Sequence, residues 1–310
     1  MALRYSVFVF WLTLGASGCG SSDDAEPLGP PPEPGAARER GPYAVGVTTI
    51  ETVSEGRTLP VEVWYPARPG VGAEVEKYAV MIGVVKLTEA PSPLGAVRDA
   101  KLDARGAPYP VVLFSHGSGG IRIQSVYMTE YLASHGFVVA APDHVGNTIA
   151  EQVNTSAALP AAEVARIRPS DMSRTLDSLL ESAGKVRLDR ASDGASVGIA
   201  GHSFGGYTAF RVAGATVDPD AVIAECQGSS SLVCDGLADL TQPFPASGRD
   251  ERVSAAIPQA PGGSIVMNAG GHDGFGSITI PTLVQHGTSD LLTPFAEEAR
   301  SPFEALSGPA

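Results

Sequence analysis

No part of this 310-residue sequence gathers Lys and Arg into a cluster: 21 basic residues face 34 acidic ones, for a formal net charge of −13. The attraction that drives binding to a phosphate backbone would be repulsion here, so nucleic acid is not an expected partner. The sequence also lacks zinc-ligand spacings, a phosphate-binding loop and a dinucleotide-binding glycine pattern, which leaves nucleotide-binding, dehydrogenase and metal-hydrolase readings without support. It has no internal repeat. Its N-terminal apolar run, Tyr5 to Leu14, falls well short of the about twenty residues needed to cross a bilayer. Cysteine is scarce: three residues, Cys19, Cys226 and Cys234.

The short apolar run follows one cation, Arg4, and precedes small residues, the pattern of an export signal over residues 1–18. Ala16, Ser17 and Gly18 before Cys19 resemble a bacterial lipobox, in which the cysteine becomes the lipidated first residue. A plain secretory cleavage would cut at the same bond. Either outcome places the chain outside the cytoplasm, anchored in a bacterial cell envelope, with the outer membrane the expected site, or secreted. Residues 19–41 are rich in Pro, Gly and acids and almost free of large apolar side chains, so they cannot bury enough surface to fold and read as a tether reaching about 25 Å. Cys226 and Cys234 are close enough in sequence to pair, and a bridge over so short a loop contributes about 2.5 kcal/mol in an oxidising compartment. The alternative is two buried thiols.

From residue 42 to 310 the chain reads as one domain, expected as a monomer. "YAVGVTTIETV" and "LPVEVWYPA" are two strands joined by a tight turn. Afterwards strands and helices alternate: "YPVVLFS", the helix "IQSVYMTEYLASHG", "FVVAAPDH", a helix starting at a Ser170 cap, "ASVGIAG", the helix "YTAFRVAGA", "RVSAAIPQA", "ITIPTLVQHG" and the helix "TPFAEEARSPFEAL". Strands that are apolar throughout and separated by helices predict an α/β fold: a mostly parallel sheet with helices on both faces and an antiparallel N-terminal edge. Residues 66–106 and 215–250 break the alternation and read as excursions above the sheet, the second a candidate cap.

The sharpest chemical signal is "GIAGHSFGG". It places Ser203 in a G-x-S-x-G turn between a buried strand and a helix, a sharp corner that exposes the hydroxyl at the C-terminal edge of the sheet. A serine attacking an ester builds negative charge on the carbonyl oxygen and needs fixed donors for it. The N–H of Phe204 is one; the loop "FSHGSGG" offers the N–H of Ser118 as the second.

On "VEVWYPA", "VVLFSHGSGG", "LASHGFVVAAPDH" and "VGIAGHSFGGYTA" the sequence resembles the α/β-hydrolase superfamily. Within it, the resemblance is to the platelet-activating-factor acetylhydrolase and dienelactone-hydrolase-like group, with cutinase-like polyester hydrolases nearby. The resemblance spans residues 43–300. It implies hydrolysis of short-chain carboxylic esters, including 1-alkyl-2-acetylglycerophosphocholine-like lipid esters, through a serine acyl-enzyme. It implies no metal or organic cofactor. Ser203 would be the nucleophile, with Ser118 and Phe204 forming the oxyanion hole.

The acid of such a site falls on Asp290 in "LVQHGTSD", with Glu225 a distant second. The base is unassigned. No histidine lies between residues 291 and 310, and of the six present only His272, in "GGHDGFG", sits on a loop that can swing toward Ser203. The expectation is that a last strand, a base-bearing loop and a closing helix lie beyond this sequence. Three readings stand: a lipid-anchored serine esterase, a catalytically incomplete hydrolase-fold lipoprotein that binds or serves as a structural module, and an enzyme in which His272 substitutes.

Overall fold

The computed structural model of the protein describes residues 33, 37–68, 70, 72–227, 234–240 and 242–309. The export segment, Cys19 and most of the linker lie outside them. Residues 37–41 do not stand free of the domain: the Ala37 and Glu39 carbonyls bond to Tyr131 and His135, and the Gly41 N–H donates to Ser134 Oγ. Among the described residues no helix is long and apolar enough to cross a membrane.

The strands are β1 (Ala44–Ser54), β2 (Arg57–Ala67), β3 (Lys77–Ile82), β4 (Val85–Pro91), β5 (Val97–Arg98), β6 (Val111–Ser115), β7 (Val138–Pro142), β8 (Val197–His202) and β9 (Val253–Gln259). The described residues form a seven-stranded sheet in the order β5-β1-β2-β7-β6-β8-β9, with β3 and β4 as a separate hairpin. Pairing is parallel from β7 through β6 and β8 to β9, and antiparallel where β2 meets β7 and β1. This is the expected sheet; β5 adds one short parallel pairing outside β1.

Alternation along each strand divides the core in two. Val61, Val63, Val111, Leu113, Val138, Ala140, Val197 and Ile199 face one side, where helices α3 (Ala161–Glu181), which follows the short α2 (Ile149–Val153), and α4 (Phe204–Ala213) bury Met172, Leu176, Tyr207 and Phe210 against them. Trp64, Phe114, Val139, Ala141 and Ala200 face the other, under Ala133 of helix α1 (Val126–Ser134). Every residue of α4 from Gly205 to Ala213 is buried, so the helix behind Ser203 is clamped on all sides.

Three elements depart from the sequence expectation. Helix α3 begins at Ala161, nine residues before the expected Ser170 cap, and carries Pro169 inside it. Its first half buries Arg168 and Asp171 as well as apolar residues, which hides the helical period from a reading of hydrophobicity. The expected strand at "ITIPTLVQHG" contributes only the isolated bridges Ala256↔Thr282 and Gln259↔Gln285 beside β9. Pro281 has no N–H to add to a ladder. The final expected helix is a π-turn, Ala296–Arg300, followed by one α-turn, Ser301–Ala305.

Candidate active site

Ser203 joins the end of β8 to the start of α4 with φ 55° and ψ −117°. A non-glycine residue with positive φ costs about 1–3 kcal/mol and persists only where its surroundings over-determine it. Here the Ser203 N–H is held by the Gln259 carbonyl at 2.9 Å, and the Ser203 carbonyl receives the N–H of Gly206 at 2.8 Å. The flanking glycines allow close backbone approach: a methyl group at Gly205 would overlap the Ser115 carbonyl, and one at Gly201 the carbonyl of Gly205. Ser203 is half-buried and opens onto a cavity of about 400 Å³, shared with Ser118, Phe204, Ile265, Leu292, Thr293 and Glu298. Burial pushes the Glu298 carboxyl up, although it accepts the Ser264 N–H at 2.9 Å.

The loop after β6 lies directly against this serine. A Cβ built on Gly117 would sit 3.4 Å from the Ser203 Cβ. Gln124 ties loop to corner, accepting the Gly117 N–H at 2.9 Å while its amide nitrogen lies 3.2 Å from His202 Nδ1. Among the described residues, no acceptor takes the N–H of Ser118 or of Phe204. Two unengaged amides beside one strained hydroxyl are the parts an oxyanion site requires.

Beneath the loop is a buried polar network. His144 Nδ1 lies 2.9 Å from Asp171 Oδ2, and His144 Nε2 lies 2.9 Å from Ser115 Oγ. His116 Nε2 accepts the His144 N–H at 3.0 Å, and His116 Nδ1 lies 2.7 Å from the Gly117 carbonyl. These partners fix both rings as neutral Nδ1–H tautomers, and burial first, then the nearby Arg168, holds both well below the ordinary histidine range. Asp171 is pushed up by burial and pulled down by Arg57, which donates to it at 2.6 Å. Ser115, His144 and Asp171 have the hydrogen-bond order of a nucleophilic triad, yet all three are buried beneath the loop. They are a scaffold. Nothing in the apolar pattern marks them; the only sequence signal is the pair of histidines at the ends of two neighbouring strands.

The other expected site residues lie as follows. Asp290 caps a turn, its Oδ1 accepting the N–H groups of Leu292 and Thr293 at 2.9 and 3.0 Å, which hold its carboxyl below the ordinary range. Its neighbours Leu292 and Thr293 line the Ser203 cavity, and His286 Nε2 lies 3.2 Å from Thr293 Oγ1. His272 is bonded to Thr216 Oγ1 at 3.0 Å and is not among the residues lining the cavity. Glu225 is exposed on helix α5 (Pro219–Cys226), and Cys226 is bonded to Cys234 with a Cα–Cα distance of 5.3 Å. The structure thus brings Ser203, Ser118 and Phe204 to one cavity, holds Asp290 in a turn whose Leu292 and Thr293 line it, and includes none of Asp290, His272 and Glu225 among the lining residues.

Comparison with known proteins agrees with this fold. A family model described as chlorophyllase matches residues 75–228. The platelet-activating factor acetylhydrolase of Cavia porcellus is 29% identical over 223 residues, covering 55% of this chain and 50% of that protein. The chain therefore spans about half the length of the curated relative it matches. Among solved structures, the ferulic acid esterase from Streptomyces cinnamoneus superposes with a TM-score of 0.56 at 22% identity, over 86% of this chain and 72% of that one. Fold, elbow and matches together give the chain an α/β-hydrolase fold, similar over part of its length to the platelet-activating-factor acetylhydrolase and dienelactone-hydrolase-like group.

Proposed function

We propose that the chain is an exported serine hydrolase that cleaves short-chain carboxylic esters through an acyl-enzyme. The observation that carries this reading is Ser203, strained into a left-handed corner at a cavity also lined by Ser118 and Phe204, whose N–H groups have no acceptor among the described residues. In the reaction Ser203 Oγ bonds to the acyl carbon as its proton passes to a base. The carbonyl oxygen, now negative, is held by the N–H groups of Ser118 and Phe204. Collapse expels the alcohol with that proton, and water then releases the acid and restores the serine. Asp290 is proposed as the acid that orients the base.

A cavity of about 400 Å³ walled by Phe204, Ile265 and Leu292 suits a small acyl group. The names of the acetylhydrolase and esterase relatives belong to the same ester class. The disulfide supports export, and Cys19 is the proposed lipid anchor, which would hold the domain at a membrane surface among lipid esters.

One observation favours a second reading. Among the described residues no histidine lines the cavity with Ser203, as would suit a hydrolase scaffold that binds esters without cleaving them. Turnover of p-nitrophenyl acetate separates the two. The enzyme reading expects measurable hydrolysis that falls at least about a thousandfold in Ser203→Ala. Turnover that survives Ser203→Ala removes Ser203 from the chemistry, and a silent wild-type chain that still binds the ester favours the binding module. Loss of turnover in His272→Ala would assign that residue as the base.

A further inference from the structure

We infer that Arg168 is a positioning residue of the ester site: from inside α3 it fixes the peptide plane that aims the Ser118 N–H at the oxyanion. This deepens the serine-hydrolase reading and rests on it.

Arg168 has no solvent exposure, and its guanidinium reaches consecutive carbonyls of the loop opposite Ser203. One terminal nitrogen donates to the His116 carbonyl at 2.6 Å and lies 3.5 Å from Ser115 Oγ. The other donates to the Gly117 carbonyl at 3.2 Å and to Asn147 Oδ1 at 2.6 Å. Asn147 passes the restraint on, donating from Nδ2 to Ser118 Oγ at 3.2 Å and accepting the Gly119 N–H at 3.2 Å through its carbonyl. The guanidinium carbon also lies 5.0 Å from the centre of the Phe204 ring. One side chain therefore touches both residues whose amides form the proposed hole, or their immediate peptide partners.

The consequence follows from peptide geometry. In a trans peptide the C=O of one residue and the N–H of the next point in opposite directions. Holding the Gly117 carbonyl on the Arg168 side turns the Ser118 N–H to the opposite side. The preceding peptide provides a check: its carbonyl, His116, is on Arg168, and its N–H, Gly117, is taken by Gln124 from another direction. The Gly117 carbonyl also accepts the Gly120 N–H at 3.1 Å and lies near His116 Nδ1, but both partners belong to the same loop. Arg168 ties both carbonyls to a packed helix. Glycine at 117 has no side chain to resist a peptide flip, so an external anchor is what the position needs. Burial lowers the Arg168 pKa to about 9, and the nearby Asp171 opposes the shift, so the guanidinium stays charged at neutral pH.

The test compares Arg168→Met, which keeps the length and volume but removes the donors, with Arg168→Lys, which keeps a charge without the planar fork. In the folded variants, with melting temperature measured beside activity, Arg168→Met is expected to lower kcat on p-nitrophenyl acetate about a hundredfold, the scale of one misdirected oxyanion donor, with KM within about twofold. Arg168→Lys should recover part of that loss. Wild-type kcat in Arg168→Met, or a fall only in proportion to unfolded protein, overturns the inference. If the wild-type chain hydrolyses no ester, the serine-hydrolase reading fails by itself. The inference is then decided by the Ser118 amide resonance, which should shift between wild type and Arg168→Met; an unmoved resonance overturns it.

Discussion

Ser203 and Asp290 both sit in turns, but only Ser203 is held in a conformation that an ordinary turn does not require. Ser203 adopts a backbone conformation that serine avoids, in a turn whose glycines admit no methyl group, and an ordinary glycine-rich turn needs none of this. Asp290 is bonded in a way any turn aspartate is bonded. Asp290→Asn therefore has two separable outcomes. As the acid of a triad it should lower kcat by about 10⁴, the scale of leaving the base in the wrong tautomer. As a turn cap alone it should cost about 1 kcal/mol of stability and leave kcat on nitrophenyl acetate unchanged. Steady-state kinetics beside a denaturant titration distinguish them; the account expects the first.

At the scale of elements, the strand–corner–helix unit of β8, Ser203 and α4 was legible because it is local. Five adjacent residues specify the turn, and the continuous apolar strand before it specifies where the turn must lie. What lies under the corner was not legible. Helix α3 supplies Arg168 and Asp171, and these buried charges interrupt the apolar period by which a helix is read, so the pattern shows the helix only from Ser170 onward. The partners of His144 and His116 come from β6 and α3, and no spacing within one segment announces contacts across three. The corner makes its own prediction. Gly205→Ala must push a methyl into the Ser115 carbonyl of the neighbouring strand, so it should lower stability by about 1–3 kcal/mol and abolish ester turnover. Denaturant midpoints and turnover check this; a fully stable, active Gly205→Ala would mean the strand and helix are less tightly joined than described.

For the whole molecule, the mostly parallel sheet, its antiparallel edge and the disulfide followed from sequence, whereas its pH response depends on buried groups that sequence does not place. His116 and His144 are buried neutral, with burial depressing their pKa. The unfolded chain takes up protons there below about pH 6.5 while the folded chain does not, so stability falls as pH drops below that value. Glu163 and Asp99, held low by Arg166 and Lys185, add a second loss only as pH falls through their depressed folded values. The raised carboxyls of Asp143, Asp171 and Glu298 act in the opposite sense, favouring the folded state as they take up protons. The histidine contribution sets in as pH falls through about 6.5, the value of the unfolded rings. The melting temperature is expected to fall steadily from pH 7 to pH 5.5, and a flat or rising profile over that interval would mean that the histidine contribution is absent or outweighed by the raised carboxyls.

The most direct measurement of the central claim is peptide mass spectrometry of the protein quenched in acid during turnover of p-nitrophenyl acetate. The account expects an added acetyl group on the peptide carrying Ser203, lost in Ser203→Ala and released with time at the rate of turnover. Hydrolysis with no adduct at Ser203, or with an adduct on another residue, would contradict it.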